Sequence, residues 1–143
     1  MSTINFFCED VSFELPSSNT ITNWLKYAIT TEGYDLIELN YIFCSDEYLH
    51  KVNIEYLEHD YYTDIITFDN SEESQRVEGD IFISIDRVRD NAVDHGIPFL
   101  QELQRVIIHG VLHLVGYNDK TDTQQKQMTE KENAYLSLPK FQL

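Results

Sequence analysis

The segment that most restricts the fold is an apolar run carrying two histidines four positions apart, His109 and His113. The other residues between 106 and 115 are nearly all aliphatic or glycine, so apolar side chains would surround this helix on almost every side. A helix of this kind is buried inside a domain. We therefore expect a central helix against which the rest of the chain packs.

The spacing of the two histidines indicates a metal site. Residues four apart project from one face of a helix, so His109 and His113 can reach the same ion. A catalytic zinc site usually has three protein ligands and one open position. Gly116 is expected to end the helix and turn the chain, which would bring the carboxylate of Asp119 to the ion. The alternative is that His109 and His113 are ordinary polar residues of a helix and Asp119 a turn residue.

Hydrophobic periodicity predicts one domain over residues 1–143, with elements in the order βαβαββααα. Strands are expected at 4–7, 36–44, 64–68 and 80–85. The second strand is expected to place Ile37, Leu39, Tyr41 and Phe43 on one side. The segment 69–79 has no apolar residue before position 77 and is predicted to be a mobile loop that overhangs a cleft. This order predicts a mixed α/β (α+β) fold, with a sheet of about four strands packed with helices around the metal-binding helix.

The charge and the composition restrict the partners. A net charge of −15 argues against a general nucleic-acid-binding surface, so no DNA partner is expected. Six basic residues in the second half could still form a local patch, although scattered solvating charges are an equal alternative. They are Arg87, Arg89, Arg105, Lys120, Lys126 and Lys131. Neither a signal sequence nor a membrane span is recognisable, so we expect a cytoplasmic protein without a membrane partner.

The residue after the first histidine bears on the reaction. In H-E-x-x-H proteases, a glutamate at that position is the general base, but here it is Gly110. A metalloprotease would therefore need another base, with Asp64 and Asp80 as candidates. Each precedes an apolar strand, where an aspartate often bonds only to nearby backbone. A glycine inside a helix also suggests that something packs closely there.

The run from His109 to Tyr117 resembles the signature of the YbeY family, bacterial metal-dependent endoribonucleases. Three further segments resemble blocks of that family in the same order: 53–56, 63–68 and 79–84. The resemblance implies a single α/β domain with one zinc ion in an open cleft. It also implies a role in maturation of the 3′ end of 16S ribosomal RNA of the small ribosomal subunit and in ribosome quality control.

Two positions depart from the family pattern. Asp119 stands where the family usually has a third histidine, and Leu57 where it usually has an arginine. Aspartate is a good oxygen ligand, whereas leucine can neither bind a phosphate nor stabilise a charged transition state. A second hypothesis is therefore a ribosome-associated maturation factor that binds metal but has no nuclease activity of its own. Ligand type also leaves other divalent transition metals possible.

Overall fold

The computed structural model describes residues 2–143 and confirms the mixed α/β architecture. The four strands are β1 (Thr3–Cys8), β2 (Asp35–Cys44), β3 (Ile65–Asp69) and β4 (Arg76–Ser84). The five helices are α1 (Ser18–Thr31), α2 (Asp46–Leu57), α3 (Ile85–His95), α4 (Phe99–Leu114) and α5 (Asp122–Leu136). A short 3-10 helix, Pro139–Phe141, follows α5.

The strands form one sheet in the order β1-β2-β4-β3. β1 and β4 both run parallel to β2, and β3 pairs antiparallel with β4. The antiparallel pair is possible because β3 and β4 are joined by a short hairpin, whereas the parallel pairs need crossover helices. Because β3 is an edge strand, the segment that precedes it lies at the border of the sheet.

Helices cover both faces of the sheet. The larger core packs α1 and α4 against one face, through residues such as Tyr41, Ile81 and Ile107. A smaller cluster packs α2 against the other face, around Leu49 and Val52. Alternate side chains of a strand point to opposite faces, so each inner strand serves both clusters.

The histidine-bearing helix α4 is central, as its sequence predicted, and Gly110 explains how closely it approaches the sheet. A Cβ added at Gly110 would lie 2.8 Å from Cδ1 of Ile81 and 3.1 Å from Cδ1 of Ile65. The hydroxyl of Tyr41 also donates a hydrogen bond to the carbonyl of Ile107, at 2.8 Å. The expected close packing at Gly110 is therefore the contact of α4 with β3 and β4.

The sheet differs from the sequence prediction in two places. A register shift in β2 lies between Leu36 and Glu38, so Leu36 packs against the larger core in the place expected for Ile37. β4 begins at Arg76 rather than residue 80, so positions 69 and 76–79 of the predicted 69–79 loop are strand and residues 70–75 form the connection. Pairing with β2 stabilises the polar start of β4, a contact that local hydrophobicity does not reveal.

Candidate metal centre

The turn after α4 brings Asp119 back toward the histidines. Gly116 has a φ of +100°, a backbone conformation that favours glycine, and the Tyr117 amide donates to the carbonyl of Leu112 at 3.0 Å. Beyond Asp119, a capping box between Thr121 and Gln124 begins α5. Asp119 is thus held between a helix end and a helix start.

The ligand atoms of His109, His113 and Asp119 form a nearly equilateral triangle. The two Nε2 atoms are 3.0 Å apart, and Oδ2 of Asp119 lies 3.3 Å from the Nε2 of His109 and 3.4 Å from that of His113. Tetrahedral zinc with bonds of about 2.0–2.1 Å would separate its ligands by about 3.3 Å. Among residues 2–143, this is the one group of three or more histidine, cysteine or acidic residues that could hold a metal ion.

Each histidine is oriented by a hydrogen bond at its other ring nitrogen. Nδ1–H of His113 donates to the carbonyl of Tyr117 at 3.0 Å, and Nδ1–H of His109 donates to Oε2 of Glu132 at 2.6 Å. These bonds leave both Nε2 lone pairs free to bind an ion. Partners of this kind are typical of metal-ligating histidines, whose tautomer and orientation they set.

Glu132 is a site residue that sequence reasoning missed. Its side chain is only 8% exposed, and its second oxygen accepts a hydrogen bond from Nη1 of Arg105 at 2.8 Å. Both carboxylate oxygens are therefore paired, as a buried charge requires. The available signal was helical spacing, since Glu132 lies four residues after buried Met128 and three before buried Tyr135.

The two histidines titrate differently because of their neighbours. Burial acts to lower the pKa of His109, but the hydrogen bond and negative charge of Glu132 outweigh it, and the pKa is raised. Burial and the adjacent His109 ring lower the pKa of His113. The state in which both rings are protonated to imidazolium is therefore disfavoured. Metal binding requires both Nε2 atoms to be unprotonated.

A partly buried glutamate fixes the turn that carries the carbonyl partner of His113. Glu32, at the end of α1, accepts hydrogen bonds from the hydroxyl of Tyr117 at 2.7 Å, from Nζ of Lys131 at 3.3 Å and from the hydroxyl of Tyr135. Burial acts to raise the pKa of Glu32, but these hydrogen bonds prevail and lower it. The metal side of the molecule, which comprises the end of α4 and the following turn, is therefore anchored by two carboxylates, Glu32 and Glu132.

The three ligands border two cavities. The larger, of about 640 Å³, is lined by all three ligands, by Leu57 and by the segment between α2 and β3. The smaller, of about 350 Å³, lies on the side of Arg105 and Glu132. The ligands therefore face open space, as an ion that meets a substrate must.

The two candidate bases have different surroundings. Asp64 lines both cavities, and burial raises the pKa of its carboxyl. Asp80 accepts hydrogen bonds from the side-chain amides of Asn40 at 3.0 Å and Asn70 at 3.3 Å, and it lines neither cavity. Of the two, only Asp64 shares a cavity with His109, His113 and Asp119, the candidate ligand triad.

Three of the six basic residues of the proposed patch are paired with carboxylates. Arg87 pairs with Asp46 at 2.7 Å, Arg105 with Glu132 at 2.8 Å and Lys131 with Glu32 at 3.3 Å. Lys120 lines the larger cleft. Leu57, the last residue of α2, also lines it, so the place of the family arginine is apolar.

The fold and the site together describe a small α/β protein with a candidate two-histidine, one-aspartate metal centre. No helix within residues 2–143 is both long and apolar enough to cross a membrane. A family model described as Endoribonuclease YbeY matches residues 4–139. The chain therefore belongs to the YbeY family, which confirms the resemblance noted in its sequence.

Individual relatives agree. The Endoribonuclease YbeY of Cytophaga hutchinsonii is 55% identical over 139 residues, which cover 97% of each chain. That of Amoebophilus asiaticus is 51% identical over 133 residues, covering 93% of this chain and 90% of the relative. Among solved structures, the solution structure of TM1509 from Thermotoga maritima matches with a TM-score of 0.65 and 28% identity, over 93% of this chain and 86% of that one.

Proposed function

We propose that this chain is a zinc-dependent endoribonuclease whose ion is held by His109, His113 and Asp119. The observation that carries the proposal is the triangle of ligand atoms, with separations of 3.0–3.4 Å, opening onto a cleft in a chain of the YbeY family. Its relatives are named endoribonucleases, which supports RNA as the substrate.

The open side of the triad favours catalysis over a purely structural metal. A structural zinc usually has four protein ligands, whereas a catalytic one has three. Here all three candidate ligands border the larger cavity, and His109 and Asp119 also border the smaller one. Leu57 and the paired cations favour the second candidate, a metal-binding ribosome maturation factor without nuclease activity. A metalloprotease is disfavoured because Gly110 occupies the position of its usual glutamate base and the relatives carry a nuclease name.

Residues of the chain have separate tasks in the proposed reaction. Zinc, when bound, supplies Lewis-acid polarisation of the phosphodiester. His109 and His113 keep their protons on Nδ1 through Glu132 and Tyr117, so that both Nε2 atoms point at one position. We propose Asp64 as the acceptor of a proton from attacking water, because it lines the same cavity as the candidate ligands and its raised pKa makes it a better proton acceptor than an exposed aspartate.

The family resemblance extends the proposal to a biological substrate. We infer that the chain processes the 3′ end of 16S ribosomal RNA on the small ribosomal subunit and contributes to ribosome quality control. That substrate assigns its work to the bacterial cytoplasm, with neither DNA nor a membrane as partner. The net charge of −15 agrees with a narrow RNA substrate rather than general nucleic-acid binding.

The test is cleavage of a small-subunit ribosomal RNA precursor by zinc-loaded protein, with His113→Ala prepared identically. His95→Ala is the matched control, because His95 is an exposed histidine at the end of α3, outside the triad. Zinc content is measured for each protein, circular dichroism verifies the fold, and product ends are mapped by sequencing.

We expect wild type and His95→Ala to retain zinc and cleave, and His113→Ala to lose both. Equal cleavage by all three would reveal a contaminating nuclease and overturn the enzymatic proposal. Zinc retention by wild type without cleavage would favour the maturation factor. Cleavage at sites other than the 3′ end would contradict the proposed substrate but would still support a nuclease.

A further inference from the structure

The segment between α2 and β3, residues 58–63, brings aromatic rings to the cleft that contains the triad. His59 and Tyr61 both line that cleft together with His109, His113 and Asp119. Their rings are stacked, with centroids 5.3 Å apart and planes inclined by 21°. The hydroxyl of Tyr61 also lies 3.1 Å from Nδ1 of His59. The two rings thus lie in roughly parallel planes beside the candidate metal centre.

The rings of His59 and Tyr61 are accessible to solvent, although aromatic rings are usually buried. Tyr61 is 54% exposed and His59 is exposed as well. A large ring held at the surface leaves apolar area in water, an arrangement that often marks a place of contact with a ligand. The pair is therefore available to another flat group.

The loop is held rigidly from behind by α2. The amide of His59 donates to the carbonyl of Asn53 at 3.1 Å, and the side-chain amide of Asn53 donates to the carbonyl of Tyr61 at 2.9 Å. Asn53 is only 1% exposed. His50, also on α2, bonds Asp60 at 2.8 Å. The rings are thus positioned before any ligand arrives, which lowers the entropy cost of binding.

Charge around the cleft argues against binding by phosphate attraction alone. The chain has a net charge of −15, and Leu57 provides no cation at the end of α2. Lys120 lines the cleft, whereas Arg105 is paired with Glu132 beside the smaller cavity. Stacking on an aromatic ring needs no positive charge and accepts every base, since each base has a π face.

We propose that the His59–Tyr61 pair is a stacking platform for one unpaired base of single-stranded RNA, next to the phosphate that reaches the metal centre. This inference rests on the proposed ribonuclease function and deepens it. The base extends the existing stack, and the acidic protein gains through stacking the affinity that a basic groove would otherwise supply. Duplex RNA, whose bases are already stacked on each other, is a poorer ligand for such a platform.

The test measures binding of a fluorescent single-stranded oligoribonucleotide to the zinc-loaded full chain by anisotropy, at low and high salt. A gel verifies that the oligomer is intact at the end of each titration. The variants are Tyr61→Leu, which removes the ring, and Tyr61→Phe, which keeps it. Tyr27→Leu is the matched control, because Tyr27 is 45% exposed and lies against Phe141 outside the cleft. A further series of oligomers carries a single abasic ribose, at a different position in each. Titrating them with wild type and with Tyr61→Leu gives a double-mutant cycle between the tyrosine ring and each base.

We expect Tyr61→Leu to weaken binding by about 5- to 150-fold, corresponding to the ~1–3 kcal/mol reported for one stacked base. Tyr61→Phe and Tyr27→Leu should bind as wild type does. The loss should be similar at low and high salt, because stacking is not an ionic interaction. One abasic position should weaken wild type by the same factor and leave Tyr61→Leu unaffected.

The platform is refuted if wild type does not bind single-stranded RNA, if Tyr61→Leu binds normally, or if Tyr61→Leu weakens every abasic oligomer as much as the intact one. Cleavage is read separately. A wild-type chain that binds through Tyr61 but never cleaves would remove the nuclease and keep the platform. A wild-type chain that cleaves RNA but binds every abasic oligomer as tightly as the intact one would remove the platform and keep the nuclease.

Discussion

Two sides of the same cleft are built on opposite principles. The metal side consists of the end of α4 and the following turn. Its two histidines and the turn are held by the carboxylates of Glu132 on α5 and Glu32 at the end of α1, whose side chains are 8% and 10% exposed. The other side is the 58–63 loop, which exposes aromatic rings and is held by backbone and amide hydrogen bonds from Asn53 and by the contact of His50 with Asp60. The metal side is polar and is positioned by carboxylates, whereas the loop side is aromatic and is positioned mainly by the side-chain amide of Asn53.

The difference follows from what each side has to do. A metal needs ligand atoms placed within a few tenths of an ångström, which buried charge-assisted hydrogen bonds provide. A flat base needs only an accessible ring at a fixed place. The two supports are separate in the structure, so mutations of one should leave the other function intact.

The largest expected effect comes from breaking the metal side at Glu132. Glu132→Gln keeps the shape but removes the charge that orients His109, and should weaken zinc affinity about 10- to 100-fold. Competition with a fluorescent zinc chelator measures this, and anisotropy should show single-stranded RNA binding close to wild type. Glu130→Gln, at an exposed site on the same helix, should change neither. Unaltered zinc affinity in Glu132→Gln would contradict the positioning role.

Acid should weaken the metal side through Glu32. Because its folded pKa is lowered, Glu32 contributes stability above its ordinary pKa of 4.5, and that contribution is lost as pH falls through the folded value. Glu32→Gln should therefore lower the free energy of unfolding by ~1–2 kcal/mol near neutral pH. Urea denaturation should show that this deficit shrinks as the pH falls below 4.5. A loss of unfolding free energy that does not change with pH would contradict this role of Glu32. An equal loss in Glu38→Gln, at an exposed site, would contradict it as well.

The loop side should be broken by Asn53→Ala, which removes the donor to the carbonyl of Tyr61. Single-stranded RNA affinity should fall on the order of two- to tenfold, corresponding to ~0.5–1.5 kcal/mol for one hydrogen bond. Zinc affinity should stay at the wild-type level. Ile54→Ala, at an exposed site on the same helix, is the control and should leave both unchanged. A loss of zinc in Asn53→Ala would show that the two supports are coupled.

The smallest effect should come from Leu57→Arg, which adds a cation to the loop side of the cleft. RNA binding should tighten a few-fold and become more salt-dependent, by roughly 0.7 in the slope of log affinity against log salt if one phosphate is contacted. Leu57→Gln controls for loss of the apolar side chain. An unchanged slope would mean that no phosphate passes near residue 57.

Much of the metal side is local and was therefore predictable. The spacing of His109 and His113 sets their common face, and Gly116 permits the turn that returns Asp119. Gly110 indicated close packing, and the structure identifies Ile81 and Ile65 as the partners. The strand order β1-β2-β4-β3 could not be read from local patterns, because pairing joins residues distant in sequence.

The missed residues share a cause. Glu132 meets His109 across 23 positions of sequence, and Asn53, which lies in the family-like segment 53–56, meets the carbonyl of Tyr61 across eight positions. The bulge that exchanges Ile37 for Leu36 likewise depends on the neighbouring strands. In each case a polar or backbone contact between elements decided the outcome.

The sequence by itself determined a central apolar helix, the candidate metal ligands it presents and the membership of a family, because these depend on residue type and on spacing within one or two helical turns. Only the tertiary structure decided that Glu132 and Glu32 hold the metal side and that Asn53 holds the loop with the aromatic rings at the same cleft. A buried polar group must be paired wherever the fold places it, and its partner is chosen by packing rather than by local sequence.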